Sequence, residues 1–150
     1  MKLPHTVTIY NRTVEIDKDT FSETIKHYIT VIDGVLLIAN KAANVRESGL
    51  ESADAVTLHI PANCVAVDGL TGNTKQFVQP IEFQNAADKS GLWTLSNNDG
   101  NTFFVKGKVI EEAKDEQTIN AMYDDCYRMT SVDFKDFGSK AMQHWECGGA

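Results

Sequence analysis

Four histidines, three cysteines and several carboxylate clusters are the side chains in this sequence able to hold a metal or move a proton. The densest group is His144-Trp145-Glu146-Cys147. On a strand, His144 and Glu146 share one face while Trp145 and Cys147 share the other. No second donor pair stands at zinc-like spacing elsewhere, so no metal is expected. His27 and His59 fall where strands are expected and read as half-buried structural histidines. Asn97-Asn98-Asp99-Gly100 fails as a calcium loop, because alignment on its glycine puts Leu95 and Lys106 at the first and last ligand positions. Asp17-Lys18-Asp19 reads as solvated carboxylates in a turn. Phosphate-cradling Gly-x-Gly-x-x-Gly and Gly-Lys-Ser/Thr patterns are absent, as is the Gly-x-Ser-x-Gly nucleophile elbow. Cys64, Cys126 and Cys147 are odd in number and far apart, so they read as reduced, mostly buried small hydrophobes. Asn11-Arg12-Thr13 matches the glycosylation triplet by chance. With no catalytic residue and no cofactor nominated, the expectation is a protein that is not an enzyme.

Charge narrows the partners. Fourteen basic against twenty-one acidic residues leave a net charge of −7 and an isoelectric point near 5.0. That argues against binding nucleic acid by phosphate neutralisation, which needs a basic surface. It is compatible with DNA moving past a surface that repels it. The string Glu111, Glu112, Asp115, Glu116, Asp124 and Asp125, interrupted by Lys114, is the candidate acidic face for such a wall. Lys41, Arg46, Glu47, Glu51 and Asp54 are the charged residues of a long polar stretch that reads as a loop between strands. Trp93 and Trp145 are candidate core or interface aromatics.

The elements that must position these residues are mainly strands. One hundred and fifty residues with 42% apolar content suit one compact domain. The longest apolar run, Val35–Ala39, is far short of the ~20 residues of a membrane-spanning helix. No apolar leader follows Met1-Lys2, and a cytoplasm-like compartment is expected. Val7 and Ile9, then Ile25 to Val31, then Val56, Leu58 and Ile60 alternate with polar residues, the pattern of half-buried strands. Asp33-Gly34 predicts a tight turn joining Thr24–Ile32 to Val35–Asn40 as a hairpin. Lys41–Asp54 reads as a long loop. Leu92–Leu95 and Thr102–Val105 predict a second hairpin around Asp99-Gly100. Residues 111–122 predict the one helix, and Cys126–Asp133 with Ala141–Cys147 two closing strands. The expected class is mainly β, a small barrel or sandwich with long inter-strand loops and one short helix near the C-terminal third. Residues 1–110 are expected to form the barrel core, with loop 40–54. Residues 111–150 add a helix and closing strands, in the same domain or as a docking extension.

The order of local phrases resembles a family. It runs from Val7-Thr8-Ile9-Tyr10-Asn11-Arg12 through Tyr28–Val35, Ala53–Pro61, Gly91–Leu95 and Phe103–Gly107 to Val132-Asp133 and His144-Trp145-Glu146. Over most of its length the chain is similar to the small head–tail connector proteins of long-tailed bacteriophages and Gram-positive prophages, the head-closure or minor capsid proteins. The resemblance implies a β-barrel subunit of a homo-oligomeric ring, six- or twelve-fold, in the virion neck after assembly in the host cytoplasm. Its implied partners are portal or adaptor and tail proteins, with double-stranded DNA passing through unbound and no membrane. It also implies that the loop over 40–54, with Lys41, Arg46, Glu47, Glu51 and Asp54 as candidate channel-facing residues, points towards the channel. A tail-terminator or other small tail-tube ring protein is the neighbouring reading. From a different class, a β-sandwich module binding carbohydrate or peptide would use Trp93, Tyr123, Tyr127 and Trp145 as a platform.

Overall fold

The structure, a computed structural model, describes residues 3–40, 45–46, 49–50, 55–96, 102–109 and 125–150. Its strands in chain order are β1 (His5–Ile16), β2 (Glu23–Asn40), β3 (Val45–Arg46), β4 (Gly49–Leu50), β5 (Ala55–Pro61), β6 (Ala66–Asp68), β7 (Thr74–Phe77), β8 (Leu92–Trp93), β9 (Thr102–Lys106), β10 (Cys126–Lys135) and β11 (His144–Gly149). Among the described residues one short helix, α1 (Pro80–Asn85), opens on a proline, whose missing N–H costs nothing in a first turn. The fold is mainly β. Six strands pair in the order β1-β9-β10-β11-β5-β2, and β2 returns to β1, so the pairings close a ring. Every pairing in that ring is antiparallel. Strands β6, β7 and β8 extend the sheet from the edge of β2.

The ring encloses the core. Val7, Ile9, Ile32, Val35, Leu37, Val56, Leu58, Ile60, Phe104, Met129 and Cys147 form one buried cluster, with Trp93 and Leu95 packed into it. The expected alternation holds in β5, where Val56, Leu58 and Ile60 are buried while Thr57 and His59 are half-buried. In β1 it does not. Residues 7–11 are all buried, because Tyr10 enters a second cluster with Ile29, Phe103, Val105 and Val109 on the other face. Tyr10 and Phe103 stack there at 4.6 Å and 6°.

Two expectations are corrected. Asp33-Gly34 does not turn the chain. Strand β2 runs unbroken from Glu23 to Asn40, and Gly34 is an extra residue between the pairs Thr6–Asp33 and His5–Val35. With φ of 82°, it makes a bulge, which a left-handed glycine permits as readily as a hairpin turn. The bulge separates the part of β2 that pairs with β6 over Thr30–Ile32 from the part that pairs with β5 over Leu36–Asn40. Second, Leu92–Leu95 does not form a hairpin with β9. Strand β8 runs parallel to β7, and the buried Asn11 side chain holds the next residue, its Nδ2–H donating to the Thr94 carbonyl (2.8 Å) and its Oδ1 accepting from the Thr94 N–H (3.2 Å). That amide is buried and committed, so the glycosylation triplet is spent on packing. The described helix lies at Pro80–Asn85, and residues 111–122, where a helix is expected, lie outside the described residues.

Strands β10 and β11 stand between β9 and β5. A core made of residues 1–110 alone would lack two of the ring's six strands.

Candidate assembly surface

Strand β1 pairs with β9 only over Val7–Asn11, and β6 reaches β2 only over Thr30–Ile32. Beyond those limits, among the described residues, β1 and β2 pair only with each other, from Arg12–His27 out to Ile16–Glu23. A two-stranded arm therefore projects from the ring. Alternation along it puts Val14, Ile16 and Ile25 on one face, with Val14 directly opposite Ile25. These side chains are exposed, as is Phe21 in the connecting turn. Phe21 has a φ of 53°, a left-handed conformation rare for a bulky residue. The turn holds it there: its N–H donates to the Asp17 carbonyl (2.8 Å), and the Asp17 N–H donates to the Ser22 carbonyl (3.0 Å). The opposite face of the arm is polar, with the Tyr28 hydroxyl donating to Glu15 (3.2 Å) and the Lys26 ammonium over the Tyr28 ring.

The arm's root is gripped from β7. Lys75, 5% exposed, donates from Nζ to the Ile29 carbonyl and to Thr30 Oγ1, each at 3.1 Å, with Asp68 Oδ2 at 3.5 Å. Burial lowers the Lys75 pKa against the opposing pull of Asp68. Burial pushes the Asp68 carboxyl up, but N–H donors from Thr71 and Leu70 and the Lys75 charge outweigh it and hold it below the usual range. A cleft of about 270 Å³ separates the root from α1, with Arg12, Val14, Ile81 and Phe83 in its walls.

A second exposed apolar patch lies at the β10–β11 connection, where Phe134, Phe137 and Met142 face solvent. It continues inward through Trp145, which packs against Phe134 (5.1 Å), Phe77 (4.6 Å) and Trp93 (5.7 Å). Trp93 is a core residue, while Trp145 is half-buried and joins core to patch.

The sequence-expected surfaces fall largely elsewhere. Lys41, Glu47, Glu51 and Asp54 lie outside the described residues, and Arg46 is placed only as a backbone position in β3, paired with Gly49 of β4. Glu111, Glu112, Asp115, Glu116 and Asp124 also lie outside them. Asp125 is described, and its carboxylate accepts from the Tyr127 hydroxyl (3.0 Å). Burial pushes the Cys64 thiol up to about 11. Burial, then the charges of Asp133 and Glu146, push Cys147 up to about 12. Both thiols are therefore protonated near neutral pH and poor nucleophiles. His144 and Glu146 do share a face, and the pairing of β11 with β5 sets His59 beside them, a neighbour that spacing along the chain does not reveal. Among the described residues no helix is long and apolar enough to cross a membrane.

The arm's apolar face was also missed by sequence reading. Its signal was present in Val14, Ile16, Phe21 and Ile25, which continue the period of β1 and β2 past the point where a small ring can bury them.

A family model described as a family of unknown function (DUF6751) matches residues 3–150. No curated protein and no solved structure gives a match.

Proposed function

We propose that this chain, which belongs to the DUF6751 family, is a structural subunit of a homo-oligomeric ring, the head-closure ring of a phage head–tail connector. The observation that carries the reading is the projecting β1–β2 arm with its exposed Val14, Ile16, Phe21 and Ile25. An isolated two-stranded hairpin is marginal in water, and a left-handed, solvent-facing phenylalanine at its tip adds strain without burial. Both costs are offset when the tip is covered by a neighbour. A head-to-tail ring needs two unlike surfaces on each subunit. The arm tip and the Phe134–Phe137–Met142 patch are two such surfaces. The closed ring of strands forms the rigid body that carries them.

The neck position comes from the resemblance of the local phrases to connector proteins, together with the −7 net charge, which keeps passing DNA from adhering. The test is particle composition. Virions encoded beside this chain should contain it at fixed stoichiometry, seen in a cryo-microscopy reconstruction as a ring between portal and tail. Virions that lack it, or substrate conversion by the purified chain, would overturn the reading.

A further inference from the structure

We propose that His59, His144 and Glu146 form a binding site for a divalent first-row transition-metal ion of the Zn²⁺ type on the outer face of the ring. The inference stands apart from the assembly reading; the two share only Met142, whose side chain belongs to the exposed patch and whose backbone carbonyl supports His144.

The fold builds the site from two strands. Antiparallel pairing sets Glu146 of β11 directly opposite His59 of β5, and His144 opposite Pro61, two residues along the same face. One ligand atom from each of the three side chains lies within 4.8 Å of the other two. Tetrahedral ligands at bond lengths of ~2.0–2.2 Å stand ~3.3–3.6 Å apart, so closure onto an ion takes about an ångström of side-chain movement. All three side chains are half-buried, which leaves them that freedom.

Three further features favour a cation. His144 Nδ1 lies 2.9 Å from the Met142 carbonyl oxygen. A carbonyl only accepts, so Nδ1 carries the proton and Nε2 keeps its lone pair for a metal. A carbonyl behind the ring is the usual support of a metal-bound imidazole. Next, Asp133 of β10 is also in register opposite Glu146, on the side away from His59. Two carboxylates facing each other across strands repel, and a cation at Glu146 relieves that repulsion. Finally, both imidazoles line an open cleft of about 880 Å³, together with Asp33, Leu36 and Cys64. Two imidazoles and a carboxylate with the fourth position open to a cleft is the donor set that suits Zn²⁺ with a water or an incoming ligand.

The experiment uses the full chain stripped with chelator and titrated calorimetrically with ZnCl₂. One equivalent should bind, and Co²⁺ in its place should give the visible absorption of a tetrahedral site. His59→Ala, His144→Ala and Glu146→Gln should each weaken binding by ~100-fold, while Glu82→Gln, on the exposed surface of α1, leaves it unchanged. A readout independent of variants is the imidazole NMR spectrum of the wild-type chain, in which Zn²⁺ should shift His59 and His144 and leave His27 in place. No stoichiometric binding, undiminished binding in all three variants, or shifts confined to other histidines would each overturn the site.

Discussion

Replacing Phe21 with glycine separates assembly from folding. Phe21 is 81% exposed, so the folded subunit covers about a fifth of it. Taking an aromatic side chain as ~200 Å², that fifth is ~40 Å², worth ~1 kcal/mol at ~25 cal/mol/Å². Against this loss, glycine relieves the left-handed backbone at φ 53°, a strain of ~1–2 kcal/mol for a residue with a Cβ. Glycine's greater freedom in the unfolded chain returns ~0.5–1 kcal/mol of cost. The three effects nearly cancel, and the urea-unfolding stability of the subunit should stay within ~1 kcal/mol of wild type. Association is different. If a neighbour covers the remaining four-fifths, the variant forfeits ~2–4 kcal/mol per contact, roughly thirty- to several-hundred-fold in the association constant. Sedimentation velocity over a dilution series reads that constant, and circular dichroism confirms the fold. An unchanged association constant in a folded variant would remove the arm tip from any interface. A stability loss above ~3 kcal/mol would show that the tip is packed within its own subunit.

Other perturbations address the ring and its polar anchor. Gly149→Ala would place a Cβ 2.7 Å from Phe104 Cζ and 2.8 Å from Val56 Cγ2, both on buried side chains, and should cost ~1–3 kcal/mol in urea unfolding; a neutral variant would mean that β11 is free to shift. Trp93→Ala, at a residue 2% exposed with Phe77 and Trp145 at its edges, should cost ~3–5 kcal/mol, and a near-neutral result would remove Trp93 from the core. Truncation after residue 110 deletes β10 and β11 and should abolish cooperative unfolding, whereas a folded truncated chain would contradict the six-strand closure. The Asp68 carboxyl is held below its unfolded value near ~3.9, so its stabilisation is present above that pH and lost as pH falls through the lower folded value. Asp68→Asn should therefore lose less stability than wild type as pH falls below about 4, and identical acid profiles would refute the assignment.

Strand existence was legible because period-2 burial is local. Thr57 and His59 face out from β5 because they alternate with Val56, Leu58 and Ile60, and no distant residue changes that. What the sequence concealed was long-range. A left-handed glycine serves a two-residue turn and a bulge equally, so Asp33-Gly34 alone does not say whether the chain reverses. The useful cue was the nearly unbroken apolar run from Ile29 to Ile38, which suits a strand flanked on both edges better than two strands of a hairpin. Leu92–Leu95 misled for a similar reason. Its strand pairs with β7, and the residue after that strand is held by the buried amide of Asn11, a contact 83 positions away in the chain. The histidine–glutamate group was half visible: the shared face of His144 and Glu146 follows from alternation, but His59 arrives only through the β5–β11 register.

One strand links these regions mechanically. Strand β2 begins in the arm at Glu23, passes through the ring wall, and ends beyond Leu36, which lines the same cleft as His59. Its root is fixed by Lys75, whose ammonium binds the carbonyl of Ile29 and the hydroxyl of Thr30 at the point where the arm leaves the sheet. The bulge at Gly34 is the one irregularity in the β1–β2 pairing, and it falls between the β6-paired and β5-paired segments. A force on the arm tip therefore meets a clamped root before it reaches the bulge, and the clamp works through a buried charge. Removing that charge leaves Asp68 without its cation and the Ile29 carbonyl without this donor, so the arm should loosen at its root before the ring opens. Hydrogen exchange would show this as faster exchange along β1 and β2 beyond Asn11 and before Ile29 in Lys75→Met, with Val7, Ile9 and Leu58 still protected. Uniform loss of protection would mean instead that root and ring unfold as one unit.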